Sequence, residues 1–243
     1  MIFYISILLF EGSICKLRSI IFRFFKMIIG FCFCALGIVM MINANLGLSP
    51  WDVLHEGIYN ITGITMGKAS IIIGIIVVII DILLGENLGW GTIINMVLVG
   101  ILMDVLMLNN LVPIANNFIF GIIMMLVGMF FMGVGCVLYL GSGFGSGPRD
   151  GMMVAIQKRT GKSLTLIRGL MEVIALGVGY FLGGTVGIGT VISALGLGYF
   201  IQLTFKLCKF DGTKVQHRYI VDDINYIKTF LSKENENEQL SIK

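Results

Sequence analysis

Six apolar stretches, each long enough to cross the hydrocarbon core of a bilayer, constrain this chain more than any other feature. They lie at roughly residues 22–44, 67–85, 90–109, 117–140, 163–183 and 187–208. A transmembrane helix needs about 20 predominantly apolar residues, and inside lipid only helices and closed barrels satisfy their own backbone hydrogen bonds. The sequence therefore predicts an all-α membrane protein with six transmembrane helices in contact with the lipid bilayer.

The composition of the chain agrees with a membrane location. Hydrophobic residues make up 57% of the 243 positions and charged residues 13%, with a mean hydropathy of +0.96, whereas soluble domains carry about 25% charged residues. This composition argues against a soluble enzyme, a nucleic-acid-binding protein and a disulfide scaffold. The five cysteines lie in or beside apolar stretches, where we expect them to pack as small apolar residues and to form neither a metal site nor a disulfide.

Lysine and arginine occur only in alternate connections, which predicts the orientation of the spans. The connections near residues 45–66, 107–117 and 183–187 carry none. Three other regions are basic, with Lys16, Arg18, Arg23 and Lys26 before the first span, Arg149, Lys158, Arg159 and Lys162 in the segment 141–163, and Lys206, Lys209, Lys214 and Arg218 after the last span. Cytoplasmic loops are enriched in these residues, so both termini are predicted to be cytoplasmic.

An internal repeat relates the two halves of the chain at a constant offset of 98 positions. Each repeat contains three spans, so the second enters the membrane from the opposite side and the sequence predicts an inverted-topology duplication. Such repeats are common among secondary transporters, although duplication that serves assembly alone also fits. The matched pairs include Gly30/Gly128, Gly37/Gly135, Gly47/Gly145, Pro50/Pro148, Asp52/Asp150, Gly63/Gly161, Gly89/Gly187, Gly91/Gly189, Thr92/Thr190 and Gly100/Gly198.

The repeat divides the chain into four predicted parts. These are an uncleaved N-terminal extension (1–21), the first repeat (22–110), the second repeat (111–209) and a polar cytoplasmic tail (210–243). In the tail, the spacing of Ile220, Ile224, Ile227 and Leu231 predicts an amphipathic helix, and the polar run from Lys233 to Gln239 is predicted to be disordered. The tail is also a candidate docking site for a protein partner.

Each repeat is predicted to carry a short half-helix after its first span. Pro50 and Pro148 suit the first position of a helix, and Gly63 and Gly161 suit its C-terminal stop. About a dozen residues at 1.5 Å each are too few to cross a membrane, so we expect interfacial or re-entrant half-helices. If they dip inward, their positive N-terminal ends meet near the centre and can hold an anion or a carboxylate.

Several charged residues within or beside the spans are open to two interpretations. Asp52 and Asp150 suit either a site or first-turn capping, and Arg149 suits either an anionic ligand or a cytoplasmic loop. His55 and Glu56 can either titrate or lie exposed at the interface. Arg168 and Glu172, four residues apart, are predicted to pair facing the bundle interior, as a site or as a structural staple. Asp81 and Asp104, toward the ends of their spans, are expected to reach water near the headgroups, and the small residues of Gly183–Gly198 are expected to let backbones approach closely.

At these motifs the chain resembles the YczE/YyaS/YitT-type family of bacterial multi-pass membrane proteins, closest to the YczE-like branch. Over about residues 27–208 the resemblance is carried by ANLGLSPWDVLHEG, GWGT and Asp104 in the first half, and by GSGPRDGMM, KRTGKS, GGTVGIGT and Gln202 in the second. The chain departs from the family in its N-terminal extension of about fifteen residues and in lacking an expected proline after Gly198. The resemblance implies a location in the bacterial cytoplasmic membrane. It also suggests Asp52, His55, Arg149, Asp150, Arg159, Arg168, Glu172, Thr190 and Gln202 as substrate-binding candidates.

The sequence thus predicts a small secondary transporter or permease for an unidentified small solute, with an anion as the candidate class. The alternative is a non-transporting accessory protein that helps another enzyme or complex to assemble. Because the chain shows no Ser-His-Asp, HExxH or paired-carboxylate pattern, we expect no catalytic residue, no metal site and no cofactor.

Overall fold

The computed structural model describes residues 2–212, 215 and 217–224, and of residues 2–17 it describes the backbone alone. Eight helices account for nearly all of this part of the chain, and its one β-type contact is an isolated antiparallel bridge between Gly89 and Tyr219. The helices are α1 (Ile2–Asn43), α2 (Pro50–Thr62), α3 (Met66–Leu83), α4 (Trp90–Leu108), α5 (Phe118–Leu140), α6 (Pro148–Thr160), α7 (Leu164–Phe181) and α8 (Ile188–Leu207).

Six of these helices are long and apolar enough to cross a membrane, as the sequence predicts. They are Arg18–Asn43 within α1, together with the whole of α3, α4, α5, α7 and α8. Large apolar side chains such as Ile79, Phe181 and Leu195 are exposed on their outer faces, where lipid replaces water as the surrounding medium. The chain is therefore a multi-pass membrane protein.

The two remaining helices, α2 and α6, have the bounds expected for the half-helices. Each has 13 residues, or about 20 Å at 1.5 Å per residue, and each begins at its proline. Helix α2 is capped by Ser49, whose side chain accepts a hydrogen bond from the amide of Asp52 at 3.4 Å. Both helices end at a glycine in the left-handed region, Gly63 at φ 71° and Gly161 at φ 66°, a conformation that only glycine adopts without strain.

Helices α1 and α5 pack against each other at the centre of the molecule, through glycines. A Cβ added at Gly30 would lie 3.0 Å from the carbonyl oxygen of Gly135, and one added at Gly37 would lie 2.6 Å from that of Gly128. These two contacts are equivalent under the 98-residue offset, because Gly30 matches Gly128 and Gly37 matches Gly135. The two halves of the chain therefore make reciprocal glycine contacts.

The loops beside the half-helices repeat this reciprocity. The amide of Gly91 donates to the carbonyl oxygen of Phe144 at 2.8 Å, and the amide of Gly189 donates to that of Leu46 at 2.7 Å. Residues 46 and 144 differ by 98, as do residues 91 and 189. Among the helices, α2 packs on α7 as α6 packs on α3, and α4 packs on α1 as α8 packs on α5.

The reciprocity fails between α7 and α8. Their counterparts α3 and α4 are in direct contact, with Gly67 against the carbonyl oxygen of Gly100. Gly184, Gly187 and Gly189 do allow the close backbone approaches expected of this small-residue segment. In contrast, an added Cβ at Gly198 would meet only a side-chain atom, 3.9 Å away. The described residues of α7 and α8 thus leave an opening where α3 and α4 are closed.

The described part of the tail lies on one end of the bundle. The amide of Arg218 donates to the carbonyl oxygen of Gly143 at 2.9 Å, and that of Ile220 donates to Leu88 at 2.9 Å. The indole of Trp90 donates to Asp223 at 2.9 Å. The tail, the turn after α3 and the loop before α6 therefore share one face of the bundle. The amphipathic helix expected from Ile220 to Leu231 lies only partly within the described residues. The segment Lys233–Gln239, for which disorder is expected, lies wholly outside them.

Candidate functional site

A cavity of about 200 Å³ lies at the centre of the bundle, where the two half-helices begin. Its apolar wall is rich in methionine, with Met96, Met132, Met153 and Met171 beside Ile73, Val77 and Leu197. Its polar wall is formed by Ser49, Trp51, His55, Asn95, Tyr139, Arg149, Asp150, Arg168, Glu172 and Ser193. The cavity thus combines a long apolar side with a group of charged and hydrogen-bonding side chains, as small-molecule sites do.

The N-terminal ends of α2 and α6 both border this cavity. Ser49 and Pro50 line it from one half of the chain, and Gly147 and Pro148 line it from the other. Proline has no N–H group, so the first free amides of the two helices belong to Trp51 and Arg149. Helix N-termini carry a partial positive charge and unpaired N–H groups. The cavity therefore lies between two positive helix ends.

Trp51 and Arg149 occupy matching positions of the two repeats and contact each other. The guanidinium of Arg149 stacks on the indole ring of Trp51, 4.4 Å from its centroid, which is a cation–π arrangement. Its Nη2 atom also lies 3.4 Å from Nε2 of His55. Arginine keeps its charge in proteins. Arg149, positioned by Trp51 and His55 of the first repeat, therefore gives the cavity a fixed positive group.

His55, which lines the cavity, and Asp52, which lies behind it, form a buried pair with 1% and 4% of their surface exposed. The hydroxyl of Ser49 donates to Oδ2 of Asp52 at 2.5 Å. Oδ1 of Asp52 lies 3.3 Å from Nδ1 of His55, close enough for attraction, although the atoms are not aligned as a hydrogen bond. These side-chain contacts form one polar network that runs from Ser49 through Asp52 and His55 to Arg149.

The charge states of this pair follow from its surroundings. Burial lowers the pKa of His55 below its ordinary value, and the nearby guanidinium of Arg149 acts in the same direction. For Asp52, burial alone would raise the pKa, but the contacts from His55 and Ser49 outweigh burial and leave the pKa below its ordinary value. At neutral pH, therefore, Asp52 is ionised and His55 is uncharged.

Three further charged residues, Asp150, Arg168 and Glu172, reach the cavity from the second repeat. The phenol of Tyr139 donates to Oδ2 of Asp150 at 3.0 Å, so Asp150 is both near the start of α6 and tied to α5. Nε of Arg168 lies 3.2 Å from Oε1 of Glu172, which is the pair predicted from their spacing. Both residues line the cavity as expected, yet the Arg168 side chain is 42% exposed, because it lies at the opening between α7 and α8.

The other candidates from the sequence lie elsewhere. Thr190 is buried at the start of α8, where its hydroxyl accepts a hydrogen bond from the amide of Gly187 at 3.1 Å. Arg159 is exposed and donates to the carbonyl oxygen of Leu83 at 3.2 Å. Gln202 is exposed on α8 and does not line the cavity. The structure therefore gathers Arg149, Asp150, Arg168, Glu172 and His55 around the cavity, with Asp52 directly behind them.

Two carboxyl groups near the span ends differ in their surroundings. Asp104 accepts hydrogen bonds from the hydroxyl of Thr65 at 2.5 Å and the amide of Gly67 at 2.8 Å. Asp81, in contrast, is 0% exposed. The expectation that Asp81 reaches headgroup water is therefore wrong, because α6 packs over the end of α3 and covers it.

Sequence reasoning missed several polar or aromatic cavity residues, among them Trp51, Asn95 and Tyr139. Asn95 and Tyr139 are polar residues inside otherwise apolar spans, a pattern that marks candidate sites in membranes. Within the described part of the chain, no three His, Cys, Asp or Glu side chains lie close enough together to share a metal ion.

These features define a small six-span helical membrane protein with a central polar cavity between two half-helices. The chain belongs to a family of unknown function, DUF6198, which matches residues 21–206, and the resemblance to YczE-like proteins is confirmed. It is 31% identical over 191 residues to the uncharacterized membrane protein YczE of Bacillus subtilis, covering 77% of this chain and 87% of that protein.

Two other relatives have similar coverage. An uncharacterized protein of Haemophilus influenzae is 33% identical over 168 residues, covering 69% of this chain and 76% of the relative. The uncharacterized protein YyaS of Bacillus subtilis is 28% identical over 171 residues, covering 68% and 83%. No solved structure matches the chain.

Proposed function

We propose that the protein is a small secondary transporter for a solute with a carboxylate or another anionic group. The observation that carries the proposal is the cavity enclosed by the N-termini of both half-helices and by Arg149. Two helix dipoles and one guanidinium direct positive charge at a space of about 200 Å³, enough for a small organic molecule. Discontinuous helices whose N-termini point at an anionic substrate group are a recurring device of membrane transporters.

The transport cycle rests on an inverted-repeat arrangement of the two halves. The reciprocal contacts of Gly30 with Gly135 and of Gly37 with Gly128 support this arrangement, as do the paired hydrogen bonds of the loops. In such a bundle, the two repeats exchange conformations and open the cavity first to one side and then to the other. The proposed exchange requires two arrangements of these helices. They are the separated α7 and α8 of one repeat and the packed α3 and α4 of the other.

In the described conformation, the two acids that line the cavity have partners other than Arg149. Glu172 pairs with Arg168, and Asp150 is bound by Tyr139. An entering anion competes with Glu172 for Arg168 and meets Arg149 without displacing an acid from it. We infer a non-enzymatic role, in the bacterial cytoplasmic membrane, with both termini in the cytoplasm.

Uptake by proteoliposomes tests the proposal. Radiolabelled small carboxylates, amino acids and nucleobases are offered to the wild type, to Arg149→Gln and to Arg159→Gln. The two variants remove the same charge from the same helix, but Arg159 lies outside the cavity. We expect uptake of one solute by the wild type and Arg159→Gln, and its loss in Arg149→Gln. A folded wild type that takes up none of these compounds would favour the accessory role, and equal effects of both variants would refute the site.

A further inference from the structure

Asp81 on α3 is a carboxyl group that the proposed solute site does not use. It is fully buried, and neither of its side-chain oxygens has a hydrogen-bond partner among the described residues. Val77, one helical turn earlier on α3, lines the cavity. Asp81 therefore lies between the cavity and the end of the bundle that carries the tail.

The carboxyl group is pressed against the first half of α6. A Cβ added at Gly151 would lie 3.0 Å from Oδ2 of Asp81, so the carboxyl lies directly against the backbone of α6 and would have to shift to admit a larger residue. Further along α6, Lys158 pairs with Glu86 at 2.7 Å and Arg159 donates to the carbonyl oxygen of Leu83. These two contacts hold α6 over the end of α3 and close Asp81 off from water.

The charged groups around Asp81 are engaged elsewhere. In the turn after α3, Glu86 pairs with Lys158 of α6. Also on α6, Arg159 binds a backbone carbonyl. At the start of α6, Arg149 stacks on Trp51, and Asp150 accepts a hydrogen bond from Tyr139. On α4, Asp104 is bound by Thr65 and Gly67 at the opposite end of α3. On α2, Asp52 pairs with His55, and Glu56 accepts from the amide of Thr185. No described cation is therefore bonded to Asp81.

A buried carboxylate without a cation or a donor is far less stable than the neutral acid, because burial removes the water that solvates its charge. The described conformation therefore suits the protonated form of Asp81. When α6 moves away from α3, water reaches the carboxyl group and its proton can leave.

The other half of the molecule has no equivalent group. The position matching Asp81 is Gly179, where an added Cβ would meet the backbone of Val53 and Leu54 on α2. At this matched position, the contact between a half-helix and its neighbouring span therefore contains a carboxyl in one half of the chain and a glycine in the other. A proton bound at Asp81 therefore stabilises the packing of α6 on α3, and the packing of α2 on α7 has no equivalent group.

We propose that Asp81 is a proton-binding site, and that its protonation and release couple proton movement to the separation of α6 from α3. The coupling part of this inference rests on the proposed transport function, but the proton-binding site does not. The two parts can therefore fail separately.

Infrared spectroscopy of the full-length protein in lipid bilayers tests the binding site directly. The carbonyl stretch of a protonated carboxyl is recorded between about pH 5 and 9, a range in which exposed aspartates are ionised. We expect the wild type to show this band at neutral pH, Asp81→Asn to lose it, and the matched control Asp104→Asn to keep it. A wild type without the band, or an Asp81→Asn protein that retains all of it, overturns the proposal.

A measurement on the wild type alone covers the case in which Asp81→Asn does not fold. Protein labelled with ¹³C at the aspartate carboxyl shifts the band if an aspartate produces it, and we expect this shift. An unshifted band would assign the proton to another residue type and overturn the proposal.

Proteoliposomes with an imposed pH gradient test the coupling. We expect solute uptake by the wild type and by Asp104→Asn to follow the gradient, and uptake by Asp81→Asn to lose this dependence. If Asp81→Asn still follows the gradient, or if a sodium gradient replaces it, proton coupling through Asp81 is refuted. If the wild type transports nothing, the proposed function fails, while the infrared result still decides the proton site.

Discussion

The glycine contact between α1 and α5 can be tested by adding a single methyl group. In Gly37→Ala, the new Cβ would lie 2.6 Å from the carbonyl oxygen of Gly128 and 2.9 Å from the backbone nitrogen of Met132. Ordinary van der Waals contact begins near 3.4 Å, so the two helices must separate by about 0.8 Å or bend. Overpacking of this kind costs about 1–3 kcal/mol. Because the obstacles are backbone atoms, we expect the upper half of that range.

Thermal unfolding in mild detergent, followed by size-exclusion chromatography, measures this cost. For a chain of this size, a loss of about 2 kcal/mol lowers the Tm by roughly 4–8 °C. The matched control is Gly169→Ala on α7, where an added Cβ meets nothing within 4 Å and alanine is the better helix former by up to about 1 kcal/mol. A Gly37→Ala protein as stable as the wild type, or a Gly169→Ala protein equally destabilised, would refute the packing argument.

Three other predictions concern the half-helices and the tail. Ser49→Ala removes the cap of α2 and the donor to Asp52 and should lower stability by about 1 kcal/mol, measured as a Tm shift; an unchanged Tm would contradict the capping role. Burial holds the pKa of His55 below its ordinary value, so the side chain gains charge only as the pH falls below about 6.5. Anion affinity, measured by titration, should therefore rise on acidification in the wild type and not in His55→Asn; parallel pH curves would contradict this. Finally, Arg218→Ala removes the exposed ion pair with Asp223 and should cost less than about 1 kcal/mol, while increasing proteolysis after residue 210; unchanged cleavage would show that this pair does not hold the tail.

The spans and half-helices could be predicted because their signals are local. Apolar length defines the six spans, and Pro50 with Gly63, like Pro148 with Gly161, defines a start and a stop. The pairing of Arg168 with Glu172 likewise follows from a spacing of one helical turn.

Features that depend on packing between distant segments could not be predicted in this way. The 98-residue offset matches Trp51 with Arg149, but the stacking of one on the other depends on how the starts of α2 and α6 meet at the cavity. The burial of Asp81 depends on α6 covering α3, for which the sequence near Asp81 contains no sign.

The unequal packing of the two halves is accompanied by a difference between matched residues. Ile71 on α3 packs against Gly100 of α4, but its counterpart on α7 is Gly169, which has no side chain to fill the same space. A repeat comparison that scores identical residues, such as Gly100 and Gly198, does not register the loss of the partner. The open α7–α8 side and the exposed part of Arg168 lie next to this position.

We propose that an anionic solute binds between the two half-helix N-termini. A thermal-shift screen measures this binding. Purified protein is heated with small carboxylates, other small anions, amino acids and nucleobases, since a ligand that binds only the folded state raises the Tm by mass action. We expect at least one compound with an anionic group to raise the Tm of the wild type. This rise should be lost in Arg149→Gln and kept in Arg159→Gln. A hit that survives Arg149→Gln, or no hit at all in the wild type, would contradict it.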